Sequence, residues 1–159
     1  MTEKINIRKQ PLHRKAHDFR WEGVEELPYK EDKRALFKTI TRQTLFSDPE
    51  LRGELRYFEI APGGFSTLER HEHVHAVLIL RGSGRCLVGK KVLALEVCDL
   101  VTVPAMTWHQ FRATGGTPLG FLCMVNAARD KPQLPTPRDI AALKEDAQVA
   151  AFLSEAAGE

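Results

Sequence analysis

Residues 68–84 read LERHEHVHAVLILRGSG, and the interpretation of the whole chain starts from this stretch. Three of the six histidines fall within residues 71–75, directly before an apolar run that is followed by two glycines. Alternate side chains of an extended strand share a face. Four potential ligands can therefore project to one side of a strand, namely Glu69, His71, His73 and His75. The other interpretation of the cluster is a polar strand exposed to solvent.

The donor types in this cluster indicate a metal ion. Imidazoles with one carboxylate and no thiolate suit a divalent transition metal, but they do not by themselves separate Mn, Fe, Co, Ni, Cu and Zn. His109, in the segment VPAMTWHQF, would complete the set from a distant strand. The sequence therefore predicts one ion bound by side chains from two separate parts of the chain.

The sequence around this cluster predicts an all-β fold. From about residue 36 to residue 126 it is a series of short β-prone segments interrupted by glycine, proline and aspartate, as in an antiparallel sandwich or barrel. About eight strands result, which suits a double-sheet jelly roll with an interior for a ligand. We predict a double-stranded β-helix, or jelly-roll barrel, over residues 36–127, preceded by an N-terminal arm over residues 1–35.

The pattern changes after the last predicted strand. A proline-rich linker, RDKPQLPTP, leads into a segment rich in alanine and leucine with apolar residues at helical intervals. Thr136, Pro137 and Asp139 have the pattern of an N-cap, a first-turn proline and a capping-box acid. Asp146 is positioned to cap a second short helix. Residues 128–159 are therefore predicted to be a linker and a short C-terminal α-helical tail.

Composition restricts the classes of binding partner and the cellular location that we expect for the protein. The chain has 23 Lys and Arg against 21 Asp and Glu, and a formal charge of +2 is too small to gather nucleic acid over the surface. No stretch approaches the roughly 20 apolar residues that cross a bilayer, and no signal peptide is recognisable. Cys86, Cys98 and Cys123 lack CxxC spacing and predict neither a disulfide framework nor a zinc knuckle. We expect a cytoplasmic protein that binds neither nucleic acid nor membrane.

Over roughly residues 54–126 the sequence resembles the cupin superfamily. The first cupin motif has a glycine-rich turn, a His-x-His pair, an acid four residues later and an apolar strand that ends in G-x-G. The turn corresponds to the Pro-Gly-Gly of residues 62–64, and the final glycines to Gly82 and Gly84. The resemblance implies the cupin barrel and a metal site at the cluster described above.

Counting back from Gly82 places Glu69 and His71 in the two histidine positions of this motif and His75 in the acid position. The acid and one histidine have therefore changed places relative to the usual cupin pattern. An alternative register takes His71 and His73 as the pair, but a valine without a donor atom then occupies the third ligand position. We prefer the first register, with His73 near the site or at its rim.

The second cupin motif has a proline five residues before a histidine, which Pro104 and His109 match, although Met106 stands where glycine is usual. The resemblance implies a ligand set made of Glu69, His71, His75 and His109. Four such ligands leave up to two positions of an octahedral ion for water or substrate, which is typical of catalysis. Phe111 shares a strand face with His109 and is either an apolar wall beside the ion or an ordinary core aromatic.

The apolar strand GFLCMVN contains Cys123, and two interpretations of this cysteine stay open. It is either a buried small hydrophobe or a nucleophilic thiol beside the metal, whose cationic field favours the thiolate. Four arginines are candidate partners of a substrate phosphate, although exposed arginines are more often simply solvated. The sequence does not choose among Arg52, Arg56, Arg81 and Arg85.

The whole chain is also similar to a group of bacterial single-domain cupins that share the ERHEHVHAVLILRG cluster, an FLCMVN strand and a proline-rich link to a terminal helix. This group includes the manganese-dependent methylsulfurylases of methylthioadenosine salvage. The resemblance implies transfer of a methylthio group from 1-methylthioxylulose 5-phosphate to glutathione, which leaves 1-deoxyxylulose 5-phosphate. It also implies that Cys123 attacks the sulfur and that manganese is the favoured ion.

Two other classes of function stay open. One is another metal-dependent cupin enzyme, such as an oxygen-using dioxygenase or a sugar-phosphate isomerase, which needs no thiol. The other is a non-catalytic cupin that binds a small molecule or senses a metal. Because cupins commonly pair through strands or terminal segments, we expect a homodimer in each case.

Overall fold

The computed structural model describes residues 11–29 and 40–155. Within these residues the chain forms nine strands and two short helices. The strands are β1 (Leu27–Pro28), β2 (Ile40–Asp48), β3 (Gly53–Ile60), β4 (His75–Arg81), β5 (Gly84–Val88), β6 (Lys91–Leu95), β7 (Leu100–Val103), β8 (His109–Ala113) and β9 (Leu119–Asn126). The helices are α1 (Pro137–Leu143) and α2 (Ala147–Ser154).

The strands form two antiparallel sheets. One has six strands in the order β1-β2-β3-β9-β4-β7, and the other has three in the order β6-β5-β8. Buried side chains from both sheets share one hydrophobic cluster, so the sheets pack face to face around a common interior. The predicted all-β jelly roll with a helical tail is confirmed.

Alternating burial along β9 and β4 contributes to this interior. In β9, for example, Phe121, Cys123 and Val125 are buried, whereas Met124 between them is 62% exposed. The same alternation in β4 buries Val77 and Ile79. A period of two is what a strand requires when one of its faces covers a core.

The two glycines of the G-x-G motif lie where the chain passes from one sheet to the other. A Cβ atom at Gly82 would lie 2.2 Å from the carbonyl oxygen of Pro118, and one at Gly84 would lie 2.3 Å from the carbonyl oxygen of Arg112. Gly82 also has a φ of +71°, which favours glycine. Both positions therefore require glycine for close approach of two backbones.

The segment between β3 and β4 positions half of the candidate site. It runs along β8, with isolated pairings between Phe65 and Arg112 and between Glu69 and His109. The Ser66 amide donates to the Phe111 carbonyl at 2.8 Å, and the pairing extends the three-stranded sheet past β8. Glu69 is thereby fixed directly opposite His109.

The C-terminal tail has the predicted caps. Thr136 accepts from the Asp139 amide, the Asp139 side chain accepts from the Thr136 amide, and Asp146 caps α2. Buried residues of the tail form a second apolar cluster with Leu87 of β5. Phe152 lies against Arg112, with the guanidinium 4.2 Å from the ring centroid. The tail therefore covers the outer face of the smaller sheet.

The part of residues 11–29 around Phe19 and Trp21 covers a portion of the outer face of the larger sheet. Phe19 stacks on Tyr57 with ring centroids 5.7 Å apart, and its carbonyl accepts from Gln43 at 2.9 Å. Other parts of the predicted arm, residues 1–10 and 30–35, lie outside the described residues, as does the predicted start of the barrel at residue 36. None of the described helices is long and apolar enough to cross a membrane.

Candidate metal centre

Three histidines from three different segments meet in one place. His71 lies in the segment that runs along β8, His75 is the first residue of β4, and His109 is the first residue of β8. One ligand atom from each of these residues lies within 4.8 Å of the others. The structure therefore brings together three of the four predicted ligands in the way that a metal ion requires.

Hydrogen bonds to backbone carbonyl oxygens fix two of these rings. Nδ1 of His71 donates to the His73 carbonyl at 2.7 Å, and Nδ1 of His109 donates to the Thr107 carbonyl at 2.9 Å. A carbonyl oxygen only accepts, so the proton of each neutral ring is on Nδ1 and the lone pair is on Nε2. Such partners orient the ring and select the tautomer in metal sites.

His75 differs because its Nδ1 lies 3.3 Å from the sulfur of Cys123. Its Nε2 is buried and has no hydrogen-bond partner among the described residues. Burial first, and then the nearby His109 and His71, lower the pKa of His75 to about 2. The ring is therefore neutral at physiological pH, and its Nε2 is available to a metal ion in the tautomer that carries the proton on Nδ1.

Glu69 is buried and lines the same cavity. Its backbone is bonded to that of His109 in both directions, with N to O distances of 3.2 and 3.0 Å. Its carboxylate is not part of the three-histidine group defined by the 4.8 Å limit. Its role as the fourth ligand stays a prediction.

His73 lies beside the cluster rather than within it. Its ring stacks on His71 with centroids 3.6 Å apart, and its Nδ1 lies 2.6 Å from Asp130. Asp130 also accepts from the amides of Glu72 and His73, and these hydrogen bonds, led by that of Glu72, hold the pKa of its carboxyl well below the usual range. His71, His73 and Asp130 form a second compact group of potential ligands.

Cys123 is 2% exposed and faces the same cavity. Besides His75, its sulfur contacts Nη2 of Arg56 at 3.8 Å. Burial raises the pKa of the Cys123 thiol, and the positive charge of Arg56 opposes that shift. By contrast, Cys86 lies in the core, where burial alone raises its pKa to about 12, and Cys98 is exposed.

A cavity of about 220 Å³ joins these groups. Phe111 and Phe121 stack at 5.2 Å and form part of its apolar wall, so Phe111 is both a core residue and a wall of the site. Its polar lining includes Arg42, Arg56, Ser66, Thr67, Glu69, His71, His73, His75, His109, Cys123, Arg129 and Asp130. A small polar molecule fits such a space beside the histidines.

The residues present fit a divalent metal ion. Nδ1 of His71 and of His109 is bonded to a carbonyl oxygen, which leaves Nε2 of each ring for an ion. The orphaned Nε2 of His75 would otherwise be a buried polar atom without a partner. Imidazole nitrogen with a nearby carboxylate is a common ligand combination for first-row transition metals. These histidines are therefore equipped to bind one ion.

Comparison with known proteins identifies the family. The family model of the cupin domain matches residues 56–125. The chain is also 56% identical over 149 residues to a protein of Rhodospirillum rubrum named 1-methylthio-D-xylulose 5-phosphate methylsulfurylase, covering 94% of this chain and 96% of that protein. The chain belongs to the cupin family.

Solved structures agree with the fold of this cupin. A cupin 2 conserved barrel domain protein from Rhodopseudomonas palustris is 55% identical, covers 89% of this chain and 97% of its own, and superimposes with a TM-score of 0.84. A cupin-2 domain protein from Rhodospirillum rubrum is 56% identical, covers 94% of this chain and all of its own, and gives a TM-score of 0.83.

Two groups of residues at the site of this cupin were not selected from the sequence. Asp130 lies in the proline-rich linker, which gave no sign of folding over the histidines. Arg42 and Arg129 line the cavity, whereas Arg81 and Arg85 are held in ion pairs with Glu59 and Glu155. Among the four arginines named from the sequence, Arg56 alone lines the cavity. The alternation of side chains along β3 was the sequence signal that could have selected Arg56. The position of this strand beside β9, however, depends on non-local pairing, which a local pattern does not reveal.

Proposed function

We propose that this cupin transfers the methylthio group of 1-methylthioxylulose 5-phosphate to glutathione and releases 1-deoxyxylulose 5-phosphate. The relative from Rhodospirillum rubrum carries the name of this activity and matches nearly the whole chain. The structural observation that carries the proposal is the 3.3 Å contact between Cys123 and His75 inside the cavity. That contact joins a potential nucleophile to the candidate metal centre.

In this proposal Glu69, His71, His75 and His109 hold one divalent ion, with manganese favoured by the resemblance. The orphaned Nε2 of His75 and the fixed tautomers of the other two rings support this ligand set. When bound, the ion supplies Lewis-acid stabilisation of negative charge on the carbonyl and adjacent hydroxyl oxygens of the sugar. The protein supplies the position of the sugar and the nucleophile.

Cys123 performs the sulfur chemistry. Its thiolate attacks the methylthio sulfur, so a sulfur–sulfur bond forms while the bond from that sulfur to C1 of the sugar breaks. The electron pair passes to the sugar, whose C1 takes up a proton and becomes the methyl group of the product. The sugar carbon is reduced and the sulfur is oxidised. Arg56 and the Nδ1–H of His75 stabilise the charge of the attacking sulfur.

Glutathione completes the cycle. Its thiolate attacks the methylthio sulfur of the mixed disulfide, and Cys123 leaves as a thiolate. The products are glutathione methyl disulfide and an enzyme ready for the next substrate. One thiol and one sugar phosphate are consumed in each turnover, and no external oxidant or reductant is required.

The test compares the wild type with Cys123→Ser in an assay with manganese, 1-methylthioxylulose 5-phosphate and glutathione. Mass spectrometry measures 1-deoxyxylulose 5-phosphate and glutathione methyl disulfide, and elemental analysis measures bound metal. We expect Cys123→Ser to retain the metal and to lose turnover, whereas Cys98→Ser, the matched control, retains both. Equal turnover by Cys123→Ser rejects the thiol mechanism. Absence of both products with the wild type rejects the activity and favours another cupin chemistry.

We also propose that the enzyme is a cytoplasmic homodimer. Glutathione as co-substrate and three cysteines without a disulfide are consistent with a reducing compartment. The outer face of the larger sheet carries the exposed apolar side chains of Phe46, Leu100 and Met124, which suit pairing with a second copy. Light scattering coupled to size-exclusion chromatography measures the mass, and a monomer at micromolar concentration contradicts the dimer.

A further inference from the structure

Two arginines lie side by side on the inner face of the larger sheet. In the pairing of β2 with β3, Arg42 lies opposite Phe58 and Thr44 lies opposite Arg56. Arg42 and Arg56 are therefore diagonal neighbours on one face, within reach of each other's long side chains. Both line the cavity that contains the histidines and Cys123.

Aromatic rings support both guanidinium groups. Arg42 lies 5.8 Å from the ring centroid of Tyr29, and Arg56 lies 5.0 Å from that of Phe58. The two rings pack edge to face with centroids 4.9 Å apart. Stacking on a ring holds a guanidinium plane in place while its N–H edge stays available to a planar or tetrahedral anion.

One donor of each arginine lacks the partner that burial normally demands. Arg56 is 7% exposed, yet its Nε has no hydrogen-bond partner among the described residues, and neither has the buried Nε of Arg42. Within the same part of the chain no carboxylate pairs with either guanidinium. Arg129, at the same cavity, is instead bonded to Glu54 at 2.8 Å.

A buried charged donor without a partner costs more free energy than one that is bonded. Two arginines that line the same cavity, each with a buried donor that lacks a partner, mark a place for an acceptor that the protein itself does not provide. The acceptor must be anionic, because two positive charges converge there. It must also be small, because the cavity is about 220 Å³ and the histidines share its lining.

We propose that Arg42 and Arg56 form an oxyanion-binding subsite of this cavity. Oxyanions are bound by the N–H edge of a guanidinium through paired, charge-assisted hydrogen bonds. Only the source of the anion rests on the proposed function. If that function holds, the subsite binds either the phosphate of the sugar or a carboxylate of glutathione. Binding of an oxyanion as such does not depend on the reaction.

The first test measures binding without turnover. The metal-loaded enzyme is titrated with inorganic phosphate by calorimetry, and Arg42→Met is compared with Arg138→Met, an exposed control on α1. We expect saturable binding that Arg42→Met weakens about 10- to 100-fold and that Arg138→Met leaves unchanged. Arg42→Lys, which keeps the charge, should restore part of it. Equal binding by the wild type and Arg42→Met, or no saturable binding by the wild type, overturns the subsite.

The second test identifies the source of the anion through kinetics. A raised KM for the sugar phosphate in Arg42→Met, with either glutathione or uncharged 2-mercaptoethanol as thiol, assigns the subsite to the phosphate. A raised KM for glutathione but not for 2-mercaptoethanol assigns it to the carboxylate. An unchanged KM for both substrates overturns the assignment. If the wild type lacks methylthio transfer, the proposed function fails, and the phosphate titration alone decides the subsite.

Discussion

His75 joins the two chemical groups of the site through its two ring nitrogens. Nε2 faces the other histidines without a partner, and Nδ1 contacts the sulfur of Cys123. If Nε2 binds a metal ion, the proton of the ring is on Nδ1, which then donates to the sulfur and favours its anionic form. One imidazole therefore couples occupation of the metal centre to the state of the nucleophile.

The ligand set leads to a prediction about metal content. We expect the wild type to carry about one transition-metal ion per chain. We expect His75→Ala to bind the ion at least about tenfold more weakly, because loss of a direct ligand should weaken metal affinity at least as much as loss of a hydrogen-bond partner of a ligand. Glu69→Gln should also weaken binding. Elemental analysis after dialysis provides the measurement, and His17→Ala, an exposed histidine outside the cavity, provides the control. Full occupancy in His75→Ala contradicts the ligand assignment.

The environments of the three cysteines lead to a second prediction. Methyl methanethiosulfonate is small and converts a thiolate into the same methyl disulfide that the proposed reaction forms. We expect it to modify Cys98, which is exposed, and Cys123, which lines the cavity, but not Cys86, whose raised pKa and burial protect it. Peptide mass spectrometry identifies the sites. Modification of Cys86 before Cys123 in the folded protein would contradict this order.

Residue-level features were predictable where the cupin motifs decided them. The choice of Glu69, His71, His75 and His109 came from those motifs, and in the structure the chain bends at Glu72 and His73, so the strand begins only at His75. Parity by itself put Glu69, His71, His73 and His75 on one face. It could not separate His73 from the cluster, because His73 has the same parity. The structure shows that Asp130 binds the Nδ1 of His73 from a distant part of the chain, and no local pattern encodes such a contact.

The linker before the helical tail is an element of the site. Its Gln133 pairs with Arg70 through two backbone hydrogen bonds, of 3.1 and 2.8 Å. Asp130, three residues earlier, accepts from the amides of Glu72 and His73. These bonds hold the segment that contains His71. The sequence predicted the linker from its prolines but not its contacts, because isolated pairings between distant segments have no periodic signal.

Asp130→Ala tests this role of the linker. Without the carboxylate, the amides of Glu72 and His73 lose their acceptor and the orientation of His71 is less restricted. We expect metal affinity to fall about tenfold while the protein stays folded, the scale of effect known for partners of metal ligands. A competition titration with a chelating dye measures the affinity. The neighbouring exposed Lys131→Ala is the control, and identical affinities for both variants would refute the role.

The helical tail is an element whose caps were predictable because capping depends on local sequence.

The packing of this tail leads to a further prediction. Phe152 is fully buried in the apolar cluster on the outer face of the smaller sheet. Phe152→Ala should lower the free energy of unfolding by about 3–5 kcal/mol, whereas Leu134→Ala, 60% exposed, should change it by less than about 0.5 kcal/mol. Urea denaturation provides the measurement. Equal stabilities would show that the tail does not support the sheet.

Across the whole molecule, the candidate metal centre connects the two sheets. His75 belongs to the larger sheet, His109 belongs to the smaller one, and His71 lies on the segment that joins β3 to β4. The jelly-roll class followed from the number and spacing of β-prone segments. Which strands belong to which sheet depends on long-range pairing. For this assignment the cupin motif gave information that composition does not contain.

Because its ligands come from both sheets, the ion should stabilise the entire fold. A ligand that binds only the folded state at 100 times its Kd adds about 2.7 kcal/mol, which corresponds to a rise in Tm of about 5–11 °C for a chain of this size. We expect this rise when manganese is added to chelator-treated wild type and expect none in His75→Ala, with His17→Ala behaving as the wild type. Differential scanning calorimetry measures Tm. An equal rise in His75→Ala would mean that the ion binds elsewhere on the molecule.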